Sequence, residues 1–326
     1  MRIVITGGCG FLGRRVALKL LGDGSALGPV EELVLFDNAA SALPLPDDRR
    51  VRLITGDIAD REAVQRLIAP GTDAVFHLAA IVSGQAEADT DLGYRVNLDG
   101  TRAVLDACRA LGTRPRLVFA SSLAVYGGAL PPAVGDDTAL TPQSSYGTQK
   151  AIGELLVNDY SRKGFVDGRA VRLPTVVVRP GRPNRAASTF ASSMIREPLA
   201  GNEAVCPAAP DTMMALASPR RIVAGLVHAL DLPGDALGTS RSLQLPGFSV
   251  TVGEMAEAVR RVAGETAYQR IRWEPDPGIQ AIVSSWPREL ATPRAEALGF
   301  GRDSGIEEAV RFFIEDDLEM QKALAP

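Results

Sequence analysis

The glycine spacing in the first thirteen residues, MRIVITGGCGFLG, constrains the fold more than any other stretch of the chain. A short apolar run (Ile3, Val4, Ile5) ends in Thr6 and breaks at once into glycine. Gly7, Gly10 and Gly13 then lead into an amphipathic segment, Phe11–Leu21. Strand, tight turn and helix N-terminus in that order form the geometry that receives a dinucleotide pyrophosphate. Gly7 lets the chain turn, Gly10 lets the backbone approach the phosphates, and Gly13 lets helix and strand pack closely. The unpaired N–H groups and positive dipole end of the helix then face the anion. A glycine pattern alone is a weak signal; the strand directly before it and the helix directly after it supply the context.

The alternation continues through the first half. Candidate strands fall at Arg2–Thr6, Glu32–Phe36, Val51–Thr55, Ala74–Leu78, Arg116–Ala120 and Ala170–Val178. Helical patterns lie between them near Leu12–Leu21, Arg61–Ile68, Asp91–Leu111 and Tyr146–Lys163. This order predicts parallel βαβ units with right-handed crossovers, an α/β fold built on a doubly wound parallel sheet. The strands are nearly continuous apolar runs, as expected where helices cover both faces. After Pro180 the texture changes to RPGRPNRAAS, and segments such as Ser242–Leu245 and Thr251–Val262 lack strict alternation. Helices are expected at Pro219–Leu230 and Ile306–Leu324, and surface connections at Leu43–Pro46 and Leu130–Asp137. Residues 1–180 are therefore expected to form a dinucleotide-binding domain. Residues 181–326 should form mainly a smaller substrate-binding lid, with some segments returning to the first domain.

Bulk properties narrow the function. A formal charge of -4 argues against nucleic acid or an anionic membrane as the main partner. No apolar run approaches a membrane span, and the N-terminus enters a core strand rather than a signal peptide, so a cytoplasmic location is expected. Cys9, Cys108 and Cys206 show no C-x-x-C spacing and read as reduced structural thiols. With two histidines, His77 and His228, each in an apolar run, a histidine-rich metal site is excluded and no metal is expected. Acid–base chemistry has to come from other side chains.

Asp37 closes the second strand (LVLFD), where a carboxylate accepts both ribose hydroxyls of NAD and repels a 2′-phosphate. Taken alone it would be a turn-forming Asp. Asp57–Ile58 follows the third strand and is placed to meet the adenine; alone it reads as an Asx turn. Tyr146 and Lys150 in SSYGTQKAIGELL lie four apart, so a helix puts both on one face. A tyrosine with an ordinary pKa of about 10 needs a neighbouring cation to act as a base, and Lys150 supplies it. Ser122, in VFASSLAVYG, can hydrogen-bond the oxygen whose proton Tyr146 removes; Ser121 is the competing choice.

With these pieces in place the chain resembles the extended short-chain dehydrogenases/reductases of the NAD-dependent epimerase/dehydratase family. The matching motifs are TGGCGFLG, the strand-end Asp37, GDI at Gly56–Ile58, HLAA at His77–Ala80, VNLDGT at Val96–Thr101, SSLAVYG and YGTQK, in family order. The resemblance implies a Rossmann-type fold, NAD as cofactor and catalysis by Ser122, Tyr146 and Lys150, with Ser122 preferred because it stands four before Tyr126. It further implies that Phe11, Leu12, Asn38, Leu78, Ala79 and Ala80 line the cofactor. Asn97 should order the helix and water beneath Lys150, and Pro174, Thr175 and Val176 should touch the nicotinamide carboxamide. A homodimer is expected, as in many relatives.

The second half departs from the nucleotide-sugar enzymes, because their aspartate-bearing late motif is replaced by Ala217-Ser218-Pro219-Arg220-Arg221. RLPTVVVRPGRPNRAASTFASSMIREPLAG instead resembles a branch that oxidises a four-carbon sugar acid, D-erythronate, at C2. Arg182 and Arg185 are candidates for its carboxylate and Ser83 for a hydroxyl; the arginines could equally decorate a surface, and Arg179 has an equally good structural role. Two rival functions share the cofactor site: a nucleotide-sugar 4-epimerase, which retains NAD and accumulates no NADH, and a non-catalytic NAD-sensing regulator. The Ser122–Tyr146–Lys150 set counts against the second, because sensing needs no proton abstractor.

Overall fold

The computed structural model describes residues 1–39, 41, 44–181 and 188–324, apart from the Leu324 side chain. Arg182 and Arg185, the expected carboxylate anchors, lie outside the described residues. The chain divides into two compact units. One comprises Met1–Val125, Ser144–Arg172 and Val223–Leu243, the other Tyr126–Gln143, Leu173–Ile222 and Gln244–Pro326.

The first unit opens with β1 (Arg2–Thr6), α1 (Phe11–Gly22), β2 (Glu32–Asp37), β3 (Val51–Thr55), α2 (Arg61–Leu67) and β4 (Thr72–His77). There follow α3 (Ser83–Ala88), α4 (Thr90–Gly93), a π-helical turn at Tyr94–Asp99, α5 (Gly100–Leu111) and β5 (Arg116–Ser122). Past a short strand of the other unit, β6 (Ala133–Val134), the first unit resumes with α6 (Ser145–Arg162) and β7 (Asp167–Leu173). Seven strands form its parallel central sheet, in the order Ser242–Gln244, β7, β5, β4, β1, β2, β3. The order reverses between β1 and β4, which creates the crevice at the strand C-termini where such sheets bind ligands. Aligned pairs Thr6↔Phe36, Thr6↔His77 and His77↔Phe119 bring the ends of β2, β1, β4 and β5 to one edge. Leu33, Val34 and Leu35 of β2 are wholly buried, as are Ile3, Val4 and Ile5 of β1. The edge strand β3 departs from the expectation of full cover, with Leu53 44% exposed, because it has a neighbour on one side alone.

The helical pattern expected over Asp91–Leu111 is interrupted by the π-helical turn, whose wider bore turns Asn97 inward to a buried position. Thr251–Val262 proves to be a helix, Val252–Ala263, started by a capping box between Thr251 and Glu254. In the second unit, Leu130–Asp137 is more than a surface connection: β6 pairs in parallel with Glu289–Leu290. The last helix is two, Ile306–Asp316 and Leu318–Leu324, parted at Asp317, which is buried and accepts the Gln321 N–H on its carbonyl.

The missing late aspartate has a replacement from far along the chain. Ser218 stands before the helix Pro219–Asp231, and its Oγ accepts the Arg221 N–H at 3.2 Å. Asp303 in turn accepts the Ser218 N–H at 2.8 Å and the Ser218 hydroxyl at 2.5 Å, all buried. Burial pushes the Asp303 carboxyl up, while these two donors favour its charged form. Asp303→Ala leaves both donors unpaired, so a loss of about 3 kcal/mol is expected, read as a lower urea midpoint; an unchanged midpoint would refute the capping role.

Candidate active site

The turn between β1 and α1 is built as the glycines require. Gly7 has φ +70°, and a Cβ there would meet the Ala79 amide nitrogen at 2.8 Å. A Cβ on Gly13 would run into the Gly7 carbonyl oxygen and meet Gly8 Cα at 2.8 Å. Gly10 is the N-cap of α1; it offers no side-chain cap, and the first turn carries no acidic residue. The helix N–H groups are thus left for an external anion, with no carboxylate in the first turn of the helix to repel it.

Asp37 is held ready at the end of β2. Its two oxygens accept the Cys9 N–H at 3.0 Å and the Asn38 N–H at 2.8 Å, which locks the carboxylate beside the glycine turn. Asp57, by contrast, accepts from Ala59 N–H and pairs with Arg95 at 2.9 Å, so its carboxylate is engaged at the surface. Ile58 is buried against Gly100, at the start of α5. Leu78 and Ala79 bond back to Thr6, through its carbonyl at 3.1 Å and its hydroxyl at 3.3 Å, and this draws the β4 loop across the turn.

His77 does more than pack. Thr101 Oγ donates to the Asn97 carbonyl at 2.6 Å, so it receives the His77 Nε2–H at 2.9 Å. Nδ1 then accepts from the Thr6 hydroxyl at 2.7 Å. Burial, with the Lys150 charge adding to it, holds His77 down to about 3, a neutral ring. The Asn97 side chain accepts Ile81 N–H at 2.9 Å and donates to Ile81 O at 3.2 Å and Gln149 Oε1 at 2.8 Å. Asn97 thereby ties the β4 loop to α6 one residue before Lys150. Sequence reasoning missed Gln149, Thr6 and Thr101; their adjacency to Lys150, the glycine turn and Asn97 was the available signal.

Ser144 caps α6 by accepting the Gly147 N–H at 3.1 Å, and this sets the helix phase that turns Tyr146 and Lys150 to one face. Lys150 is 3% exposed; its Nζ donates to Ala120 O at 2.8 Å, 4.7 Å from the Phe119 ring centre and 5.7 Å from that of Tyr146. Burial lowers its pKa to about 8, against the opposing pull of Glu154. The two serines of β5 differ. Ser121 is buried and donates to Glu154 Oε1 at 2.5 Å, whereas Ser122 is half-buried and its Oγ accepts the Ala124 N–H at 3.1 Å, leaving the hydroxyl proton to donate elsewhere. Ser83 is half-buried at the start of α3. Pro174, Thr175 and Val176 belong to the second unit, where Thr175–Val176 pairs with Leu216–Ala217.

Among the described residues, no group of His, Cys, Asp and Glu could hold a metal ion, and no helix is long and apolar enough to cross a membrane. The three cysteines are unpaired, and burial pushes Cys108 up to about 12 and Cys206 to about 11. Cys108 and Cys206 are inert thiols.

A family model described as "NAD dependent epimerase/dehydratase family" matches residues 3–221. A D-erythronate dehydrogenase of Cupriavidus necator is 54% identical over 97% of this chain and 98% of its own. A protein of the same name from Haemophilus influenzae is 48% identical over 98% of this chain and 100% of its own. Among solved structures, a nucleoside-diphosphate-sugar epimerase from Agrobacterium tumefaciens superposes with a TM-score of 0.93 at 45% identity, covering 98% of this chain and 95% of the other. The fold is also that of an L-threonine 3-dehydrogenase from Trypanosoma brucei, with a TM-score of 0.86 at 24% identity, covering 99% and 98%. With the glycine cradle, the strand-end Asp37 and the Tyr146–Lys150 face in one unit, the chain belongs to the NAD-dependent epimerase/dehydratase family of oxidoreductases that use a nicotinamide cofactor.

Proposed function

We propose that the protein oxidises D-erythronate at C2 to 2-dehydro-D-erythronate with NAD. The observation that carries the catalytic part is the Lys150 ammonium, buried at the end of β5 beside the Tyr146 ring. The substrate follows from the two D-erythronate dehydrogenases that match nearly end to end.

The donor set fits a dinucleotide. The Gly7–Gly13 turn, with Phe11 and Leu12 opening α1, receives the pyrophosphate; Asp37 and the neighbouring Asn38 meet the adenosine ribose; Ile58 flanks the adenine; and Leu78–Ala80 run alongside. When bound, the nicotinamide supplies the hydride acceptor. The protein does the rest. Tyr146 as phenolate takes the proton of the C2 hydroxyl, Ser122 donates a hydrogen bond to the same oxygen, and Lys150 stabilises the phenolate and meets the nicotinamide ribose. Asn97 holds the π-helical turn and the β4 loop in register with α6.

Asp37→Ala removes the charge that repels a 2′-phosphate, so the preference for NAD over NADP is expected to fall roughly 100-fold, measured as the ratio of kcat/KM values. An unchanged ratio would count against Asp37 as the ribose ligand. The likeness to the Agrobacterium structure favours one second reading, a nucleotide-sugar 4-epimerase. The deciding experiment offers sugar acids and nucleotide sugars with NAD and follows NADH absorbance. NADH formed from D-erythronate supports the dehydrogenase; a sugar nucleotide inverted without net NADH supports the epimerase.

A further inference from the structure

Beneath Lys150 lies a second buried cation that the reaction itself does not call for. Arg172 of β7 and Glu154 of α6 are 4% and 2% exposed, and they form a two-pronged ion pair. Arg172 Nη2 donates to Oε2 at 2.8 Å, and Nε reaches both carboxylate oxygens at 3.0 and 3.1 Å. Ser121 adds a third donor. Glu154 stands one helical turn beyond Lys150, in the position from which a carboxylate ordinarily captures a lysine. Here Lys150 donates to the Ala120 carbonyl instead.

We propose that Arg172 is a positioning residue for catalysis: by occupying Glu154 it keeps the Lys150 ammonium from collapsing into a salt bridge and leaves that charge for the Tyr146 phenol. A planar guanidinium suits the task, since it meets both carboxylate oxygens at once and stays charged when buried. The remaining neighbours of Lys150 do not compete. His77 of β4 is neutral, and β5 contributes the Phe119 ring, a carbonyl and Ser121. The buried set of Lys150, Arg172 and Glu154 therefore carries one net positive charge next to Tyr146, which favours the phenolate. Ser121 ties the same device to β5, because its bond to Glu154 fixes the strand end from which Ser122 projects.

This inference rests on the reading of Tyr146 and Lys150 as the catalytic pair, but its test does not need the substrate. In the purified full-length protein, with and without NAD, the tyrosinate absorbance of wild type minus that of Tyr146→Phe isolates one of five tyrosines. Arg172→Met bares Glu154 and draws the ammonium away, so the Tyr146 titration is expected to rise by about one pH unit. Glu154→Gln leaves an extra positive charge, and the coupled Tyr146–Lys150 pair is expected to titrate about one unit lower. The double variant removes one charge of each sign and keeps the single net positive charge, so it should return to the wild-type midpoint and survive folding, since buried ion pairs tolerate joint replacement. Opposite shifts that cancel support the proposal. Shifts of the same sign, or none, mean that the pair is a structural brace and overturn it. Should Arg172→Met fail to fold, Glu154→Gln and the double variant decide alone: a downward shift abolished in the double supports the proposal, and identical midpoints sink it. Failure of D-erythronate to yield NADH would leave these titrations intact and overturn the substrate assignment instead.

Discussion

Tyr146→Phe is expected to lower kcat by about 10³-fold while NAD still binds, because general acid–base catalysis of this kind supplies roughly 10²–10⁴. The phenol ring stays, so the packing against Lys150 stays with it. What is lost is the phenol oxygen proposed to take the alcohol proton. Stopped-flow or steady-state NADH formation, paired with calorimetric NAD binding, separates the two effects; a variant with near wild-type kcat would remove Tyr146 from the mechanism. The wild-type pH profile provides a second check. Burial brings Lys150 down to about 8, so the ammonium is present below that pH and is lost above it. Activity is therefore expected to decline on the alkaline side from about pH 8, with Lys150→Met lacking that limb.

The second large effect is expected at Gly13. Valine there drives its Cβ into the Gly7 carbonyl, the same oxygen that accepts the Gly10 N–H at 3.1 Å and closes the glycine turn. Relief requires the turn or α1 to move, at a cost of about 3 kcal/mol, which is roughly a 100-fold weaker Kd for NAD if it falls on the bound conformation. Gly22→Ala, at the other end of the same helix, is the control, because a Cβ there meets nothing within 4 Å. Calorimetry should show NAD binding nearly lost in the first and kept in the second. Equal affinities in both would mean that the turn is not the pyrophosphate site.

Much of the architecture was legible from local pattern. β1 and β3 have the bounds the apolar runs indicate, and α2 and α6 differ by a residue at their ends. The helix Thr189–Leu199 and the strand Met213–Ala217 escaped, and so did four features whose cause can be named. The π-helical turn at Tyr94–Asp99 is stabilised by what Asn97 reaches, Ile81 and Gln149, and neither is its neighbour in the chain. β6 is two residues long and exists through a partner at Glu289–Leu290. Thr251–Glu254 is a plain capping signal, and the Val252, Met255, Ala256 and Val259 that follow stand at helical spacing, a pattern that strand alternation does not detect. The break at Asp317 lies inside one continuous helical pattern, and what parts it is a buried, hydrogen-bonded residue that periodicity does not distinguish.

What the chain declares by itself is whatever depends on neighbours within a turn or two: where glycine must replace a side chain, where strand gives way to helix, and that Tyr146 and Lys150 share a face. These follow from backbone sterics and helical pitch, which act over a few residues. Tertiary structure alone decided the charge states and partners: a neutral His77 held between Thr6 and Thr101, Ser121 committed to Glu154 while Ser122 keeps its proton, Arg172 taking the carboxylate that Lys150 would otherwise claim, and Asp303 serving a helix that begins 84 residues earlier. Desolvation and ion pairing are set by which groups burial brings together, and no local pattern carries that information.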